Sequence, residues 1–184
     1  MGRLLTAGVE VFGSRGLHAA RVDDIVNAAH TSHGTFYRYF ASKEDLFRAL
    51  TEDVAGRLSA LADDLGEIGP GPDGEAELRA WVDAFRAVYD QYGPVIQTWT
   101  EAEHGATPEG RLGADVLAQF VARLAQRIRA AGITEVDPDV TAAALVAMIE
   151  RLSYFAATRQ VAADPDDVSA VLATAAQRVL FGET

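Results

Sequence analysis

The stretch Thr31–Leu46, TSHGTFYRYFASKEDL, gathers an arginine, several aromatic rings, a glycine and short hydroxylated side chains into a few turns of chain. At about 100° per residue, Phe36 and Phe40 fall four apart on one helical face, which must enter a core. Gly34, Thr35, Arg38 and Tyr39 fall on the opposite side, with His33 and Tyr37 on the flank. That outer face carries chemistry suited to a nucleic-acid duplex. Arginine donates two hydrogen bonds to guanine, and threonine meets a thymine methyl or hydrogen-bonds a base. Tyrosine and a helix N-terminus suit phosphate oxygens. Gly34 removes a side chain where a backbone must come close. Tyr37, Arg38 and Tyr39 have no packing reason to be exposed together, which disfavours a merely compact three-helix core. His30 and His33 stand at metal-ligand spacing, but no carboxylate adjoins them in the sequence, so a turn histidine and a helix-start histidine are expected.

The flanking elements must hold this face outward. Leu4, Leu5, Gly8, Val11 and Phe12 repeat with helical period, and Gly16 is a suitable C-cap. Val22, Ile25, Val26 and Ala29 make a short second helix. After the break His30-Thr31-Ser32, Ser32 caps the third. A short helix, a three-residue turn and this helix form a helix-turn-helix, whose second helix docks in the major groove. Ser42 and Asp45 then open a long fourth helix with the stripe Leu46, Leu50, Val54, Leu58, Leu61 and Leu65.

Helical periodicity continues to the end, with no strand, repeat or low-complexity tract. GEIGPGPDGE reads as a loop. A fifth helix carries Leu78, Trp81, Phe85 and Tyr89; Gly93-Pro94 is expected to break it, leaving a short sixth helix around Trp99. The seventh holds Phe120, Leu124 and Ile128. Asp137-Pro138 and Asp164-Pro165 open the eighth and ninth as cap and first-turn proline. The expectation is an all-α chain of about nine helices. Residues 1–48 would form a helix-turn-helix domain and 49–184 an effector-binding and dimerisation domain.

Composition narrows the function. The net charge is −11 over 184 residues, which argues against indiscriminate binding to nucleic acid or anionic membrane. The charge is unevenly spread. The first fifty residues hold six basic and five acidic side chains, a balance of +1, and the rest carries −12. No run approaches eighteen consecutive apolar residues, so no membrane span is expected, and the N-terminal segment reads as part of the fold rather than a signal peptide. Cysteine is absent, which removes disulfides, thiolate metal sites and a cysteine nucleophile, and fits a cytoplasmic location.

LLTAGVEVFGSRG, VDDIVNAA and SHGTFYRYFASKEDLFRAL together resemble the DNA-binding domain of TetR-type (tetracycline-repressor-like) transcriptional regulators. The resemblance covers about the first fifty residues; beyond them only helix count and layout match. It implies that His33, Gly34, Thr35, Tyr37, Arg38 and Tyr39 occupy DNA-contacting positions, and that Lys43 contacts a phosphate. The chain departs from the family pattern in three places. Ala20-Arg21 stands where Thr or Ser usually precedes the second helix, with Arg21 substituting through charge. His30 replaces the turn glycine and must adopt a left-handed or bridging conformation. The basic N-terminal arm is almost absent, which should weaken binding or remove minor-groove contacts.

The eighth and ninth helices have broad apolar, alanine-rich faces suited to close packing between subunits. The resemblance implies a homodimer through these two helices. It also implies a cavity for a small inducer. Trp81, Phe85, Tyr89, Trp99, Phe120, Leu124, Met148 and Tyr154 are its candidate lining, and Glu150 and His104 the candidate polar contacts. The function so implied is that of a repressor: a dimer on a pseudo-palindromic, double-stranded operator, released by a small apolar or aromatic effector. No metal or cofactor is expected. A small all-α enzyme using Glu103, His104 or Glu150 as acid or base is the rival. Nothing in the spacing of serine, histidine and carboxylates supports it. An interaction module with a vestigial helix-turn-helix is disfavoured by the intact Gly34–Lys43 run.

Overall fold

The computed structural model describes residues 1–66, 69–101, 107–133 and 135–182. Among them are eight helices and no strand: α1 (Gly2–Ala19), α2 (Val22–Ala28), α3 (His33–Tyr39), α4 (Lys43–Asp64), α5 (Pro72–Glu101), α6 (Pro108–Ala130), α7 (Pro138–Ala157) and α8 (Pro165–Phe181). The fold is all-α, as expected. Backbone contacts divide it into two compact units, Met1–Gly56 with Gln91–Val116, and Arg57–Asp90 with Leu117–Thr184.

Two helices anticipated as separate are one. α5 runs through Gly93-Pro94 for 30 residues. Pro94 withholds the N–H that the Asp90 carbonyl would accept, which ordinarily bends or ends a helix. Here Tyr92, Val95, Ile96 and Trp99 are all buried around the proline, and their packing keeps the helix going. Thr98 Oγ1 also donates to the Pro94 carbonyl at 2.9 Å. α5 begins inside the anticipated loop, because Pro72 suits a first helical turn and Asp73 and Glu75 favour its positive end.

The first unit is built on the leading helices. Leu4, Ala7, Val11 and Phe12 of α1 are buried, as are Ile25 and Val26 of α2, Phe36 of α3, and Leu46, Phe47 and Leu50 of α4. Phe12 and Phe47 meet edge to face, their centroids 5.6 Å apart, a favoured arrangement of the ring quadrupoles. α1 is not regular throughout: Gly16 leaves the helix at φ 72°, and one further turn follows to Ala19. In the same unit Trp99 is buried against α6, where a Cβ added at Gly113 would overlap the indole.

The second unit packs aromatic and aliphatic side chains between α5, α6, α7 and α8. The Trp81 indole donates to the Leu61 carbonyl at 2.8 Å. Arg123 Nη1 reaches both carboxylate oxygens of Asp63, at 2.8 and 2.9 Å. Asp137 and Asp164 cap α7 and α8 as their positions before proline anticipate. Asp137 accepts from Asp139 N at 3.0 Å and Val140 N at 2.9 Å, and Asp164 from Asp166 N at 2.9 Å.

Candidate nucleic-acid interface

α2, a tight turn and α3 form the outward-reading element. α2 lacks a Ser or Thr cap, and Asp24 fills the gap from inside the helix. Its Oδ2 accepts the Arg21 backbone N–H at 3.1 Å, and its Oδ1 pairs with Arg15 at 3.4 Å. The Arg21 side chain is left exposed. In the turn, His30 adopts φ 48°, the left-handed conformation its position required. Thr31 N donates to Val26 O at 2.9 Å and His30 N to Asn27 O at 3.1 Å. These are the paired bonds of a Schellman closure, with histidine in the glycine place.

Ser32 caps α3. Its Oγ accepts the Thr35 N–H at 3.2 Å and lies 3.1 Å from Thr35 Oγ1. Phe36 and Phe40 are buried, with centroids 5.8 Å apart. Their burial turns the opposite face out. Tyr37 is 57% exposed and Tyr39 42%, and these are among the few large apolar side chains the described residues leave uncovered. His33, Gly34 and Arg38 are also exposed, and Thr35 is partly buried. The Arg38 guanidinium carbon lies 5.1 Å from the Tyr39 ring centre. This cation–π contact holds the side chain along the helix surface. The face thus presents a backbone without a side chain, a hydroxyl, a guanidinium and two phenols.

Two contacts were not visible in the sequence. His33 Nε2 lies 2.8 Å from Asp23 Oδ1. A carboxylate therefore does adjoin this histidine, brought from α2 by the turn. Lys43 is the other. Its ammonium donates to Leu17 O at 2.9 Å, His18 O at 2.8 Å and Ala20 O at 2.9 Å. Next to it, Asp45 accepts the Ala41 N–H at 3.0 Å, while Ser42 Oγ accepts Asp45 N at 3.2 Å.

The candidate effector residues fall in different places. Trp81, Phe85 and Phe120 stack in the second unit, with Trp81 and Phe120 centroids 6.0 Å apart at 7° and Phe85 and Phe120 5.9 Å apart. Tyr89 continues the stack, and its hydroxyl donates to Glu150 Oε1 at 3.3 Å. Beside the stack is a cavity of about 10 Å³ lined only by apolar side chains, among them Leu65, Trp81, Leu124, Leu145, Ile149 and Leu180. Of the candidates, Trp81 and Leu124 line it. Met148 and Tyr154 are partly buried on α7, and Trp99 belongs to the other unit. His104, like Glu103, lies outside the described residues.

Comparison with known proteins bears directly on the exposed face. Residues 4–50 match the family model for bacterial regulatory proteins of the tetR family. The chain is 44% identical over 52 residues to the HTH-type transcriptional regulator YvdT of Bacillus subtilis, a match spanning 28% of this chain and 27% of that one. It is 30% identical over 153 residues to the HTH-type transcriptional regulator YdgC of the same organism, covering 82% of this chain and 77% of the relative. The chain belongs to the TetR family. As a TetR-family member it is a DNA-binding transcriptional regulator and not an enzyme, and its helix-turn-helix is the α2–α3 element described above. FadR from Bacillus subtilis, solved in complex with stearoyl-CoA, superposes with a TM-score of 0.73 at 18% identity, covering 100% of this chain and 99% of that one. At that identity the likeness is one of fold.

Proposed function

We propose that the protein is a homodimeric repressor that leaves a pseudo-palindromic operator when a small, largely apolar effector binds. The observation that carries the reading is the α3 surface. Phe36 and Phe40 are consumed by the core, while Tyr37, Arg38 and Tyr39 stand in solvent beside Gly34 and Thr35. One seven-residue helix reads few bases, so two copies are needed for a specific site.

The second copy meets the first through α7 and α8. Val140, Val171 and Val179 on these helices are 69%, 61% and 45% exposed. Such a concentration of uncovered apolar side chains favours a partner. α7 is long and apolar enough to cross a membrane by length and composition alone, with a mean hydropathy of 1.4. Glu150 and Arg151 in this helix, and its buried inner face, suit a dimer helix better. The effector enters the second unit, where the lining is apolar and Glu150 is the one buried carboxylate among the described residues. FadR's stearoyl-CoA makes a long-chain acyl thioester the first compound to try, followed by apolar aromatics.

The test is selection of bound fragments from genomic DNA, then release assays on the recovered duplex. An enriched inverted repeat, freed by an apolar compound that also shifts tryptophan emission, is expected. Recovery of no common sequence would refute the operator reading. Recovery of one that no apolar compound releases would refute the effector.

A further inference from the structure

Glu150 is only 8% exposed, on a helix whose other buried side chains are mostly apolar. An ionised carboxylate withdrawn from water is costly unless its oxygens are paired and hydrogen-bonded. Here they are thinly served. Oε1 accepts from the Tyr89 hydroxyl at 3.3 Å, long for a bond between two oxygens. Oε2 lies 3.8 Å from Arg151 Nε, beyond hydrogen-bond reach. The Arg151 side chain is half exposed, and its guanidinium lies 5.1 and 5.9 Å from the ring centres of Tyr154 and Phe155. One turn along α7 from Glu150, Ser153 is 4% exposed, and its Oγ has no hydrogen-bond partner among the described residues. Residues three apart share a helix face. A buried carboxylate and a buried hydroxyl with unused acceptor capacity thus stand together, and the Tyr89 hydroxyl reaches them from α5.

An aromatic path leads from this group to the apolar cavity. Tyr89 stacks on Phe85 with centroids 6.5 Å apart, and Phe85 packs at 6.3 Å against Trp81, which lines the cavity. Trp81 and Tyr89 are two helical repeats apart on α5, about 12 Å at 1.5 Å per residue. We infer that Glu150, with Ser153 and Tyr89 beside it, anchors a primary ammonium head group, and that the effector is an apolar amine. This deepens the proposed effector reading and rests on it. A simple amine is protonated near neutral pH, as lysine is. It carries three hydrogens on one nitrogen, which suits a site made of carboxylate and hydroxyl oxygens. It supplies the positive charge the carboxylate lacks, through charge-assisted hydrogen bonds. The ring faces along the path attract a cation as well. An anionic head group would meet Glu150 with like charge, and a quaternary ammonium has the charge but no N–H to donate.

The test is titration calorimetry on the whole chain without DNA, using compounds that share a decyl chain: decylamine, decyltrimethylammonium, decanol and decanoate, each below its aggregation concentration. Decylamine should bind once per chain and at least about tenfold more tightly than any of the others. Glu150→Gln should abolish its preference over decanol. A decyltrimethylammonium affinity equal to that of decylamine would reduce the effect to attraction by an acidic protein and overturn the anchor. A preference for decylamine that survives Glu150→Gln would overturn it too, as would no binding of decylamine. If decanol or decanoate binds best and frees the operator, the apolar effector reading stands and the anchor fails. If decylamine binds as expected but releases no operator, the anchor stands and the effector reading fails. The comparison of head groups uses the wild-type protein, so the inference can be refuted even if Glu150→Gln does not fold.

Discussion

Gly113→Ala sets two known effects against each other. In a helix interior, alanine is favoured over glycine by about 0.8–1.0 kcal/mol. Against this, the new Cβ would stand well inside 3.0 Å of both Trp99 Cγ and Trp99 Cβ. Neither atom is the free end of a flexible side chain, and Trp99 is buried, so α6 or the indole must shift bodily. Overfilling a packed site costs about 1–3 kcal/mol, and an overlap this deep belongs in the upper half of that range. The net expectation is a loss of about 1–2 kcal/mol. Gly56→Ala is the matched control. It lies exposed in α4 with nothing within 4 Å of an added Cβ. There the full propensity gain of about 0.8–1.0 kcal/mol should appear. The two substitutions, identical in chemistry, should move stability in opposite directions. Urea unfolding at one fixed protein concentration, read by tryptophan emission, measures both. Gly113→Ala equal to or more stable than wild type would refute the reasoning about this contact.

Arg38→Ala should weaken operator binding by about 1–3 kcal/mol and relax base preference at one position; unchanged affinity and preference across a panel of duplexes would remove Arg38 from the reading face. Val171→Glu should yield a folded monomer, because Val171 is exposed in the protomer, and sedimentation finding an intact dimer would exclude α8 from the interface. His30 is left-handed, and such backbone costs an L-residue about 1–2 kcal/mol, partly offset by glycine's greater unfolded freedom. His30→Gly should therefore raise stability by about 0.5–1 kcal/mol. A lower melting temperature for His30→Gly would mean the turn is not strained.

Local signals carried far in this chain. The i, i+4 pair Phe36 and Phe40, the Ser32 cap and the Asp-Pro openings of α7 and α8 each depend on neighbours within a turn, and each is found where periodicity and capping put it; the left-handed His30 was expected from the family resemblance, at the place of its turn glycine. Long-range packing was not legible. Gly93-Pro94 reads as a break until Val95, Ile96 and Trp99 are seen to be buried beyond it. The acceptors of Lys43 are 23–26 residues away, and no local pattern announces them. α8 shows the same limit: its apolar arc is so broad that buried Leu172 and exposed Val171 look alike in sequence, although one serves the protomer core and the other faces out. At the candidate interface the exposed residues were legible because Phe36 and Phe40 fix the buried face and helical geometry turns the others away from it. The interior aromatic cluster was legible as a group but not as a shape.

The cavity beside Trp81 has consequences in time as well as in shape. At about 10 Å³ it holds one water-sized group at most, and its apolar walls offer such a water no hydrogen bond. A molecule of drug size fills a far larger space. An effector entering here must wait for Leu65, Leu124 or their neighbours to move aside, so its uptake would be limited by that opening. The observed rate should then level off as effector concentration rises, instead of climbing in proportion to it. Measured affinity would be the intrinsic one scaled down by the small fraction of molecules open at any instant. A substitution that merely hollows this interior, touching no ligand, would sensitise the regulator and quicken its response.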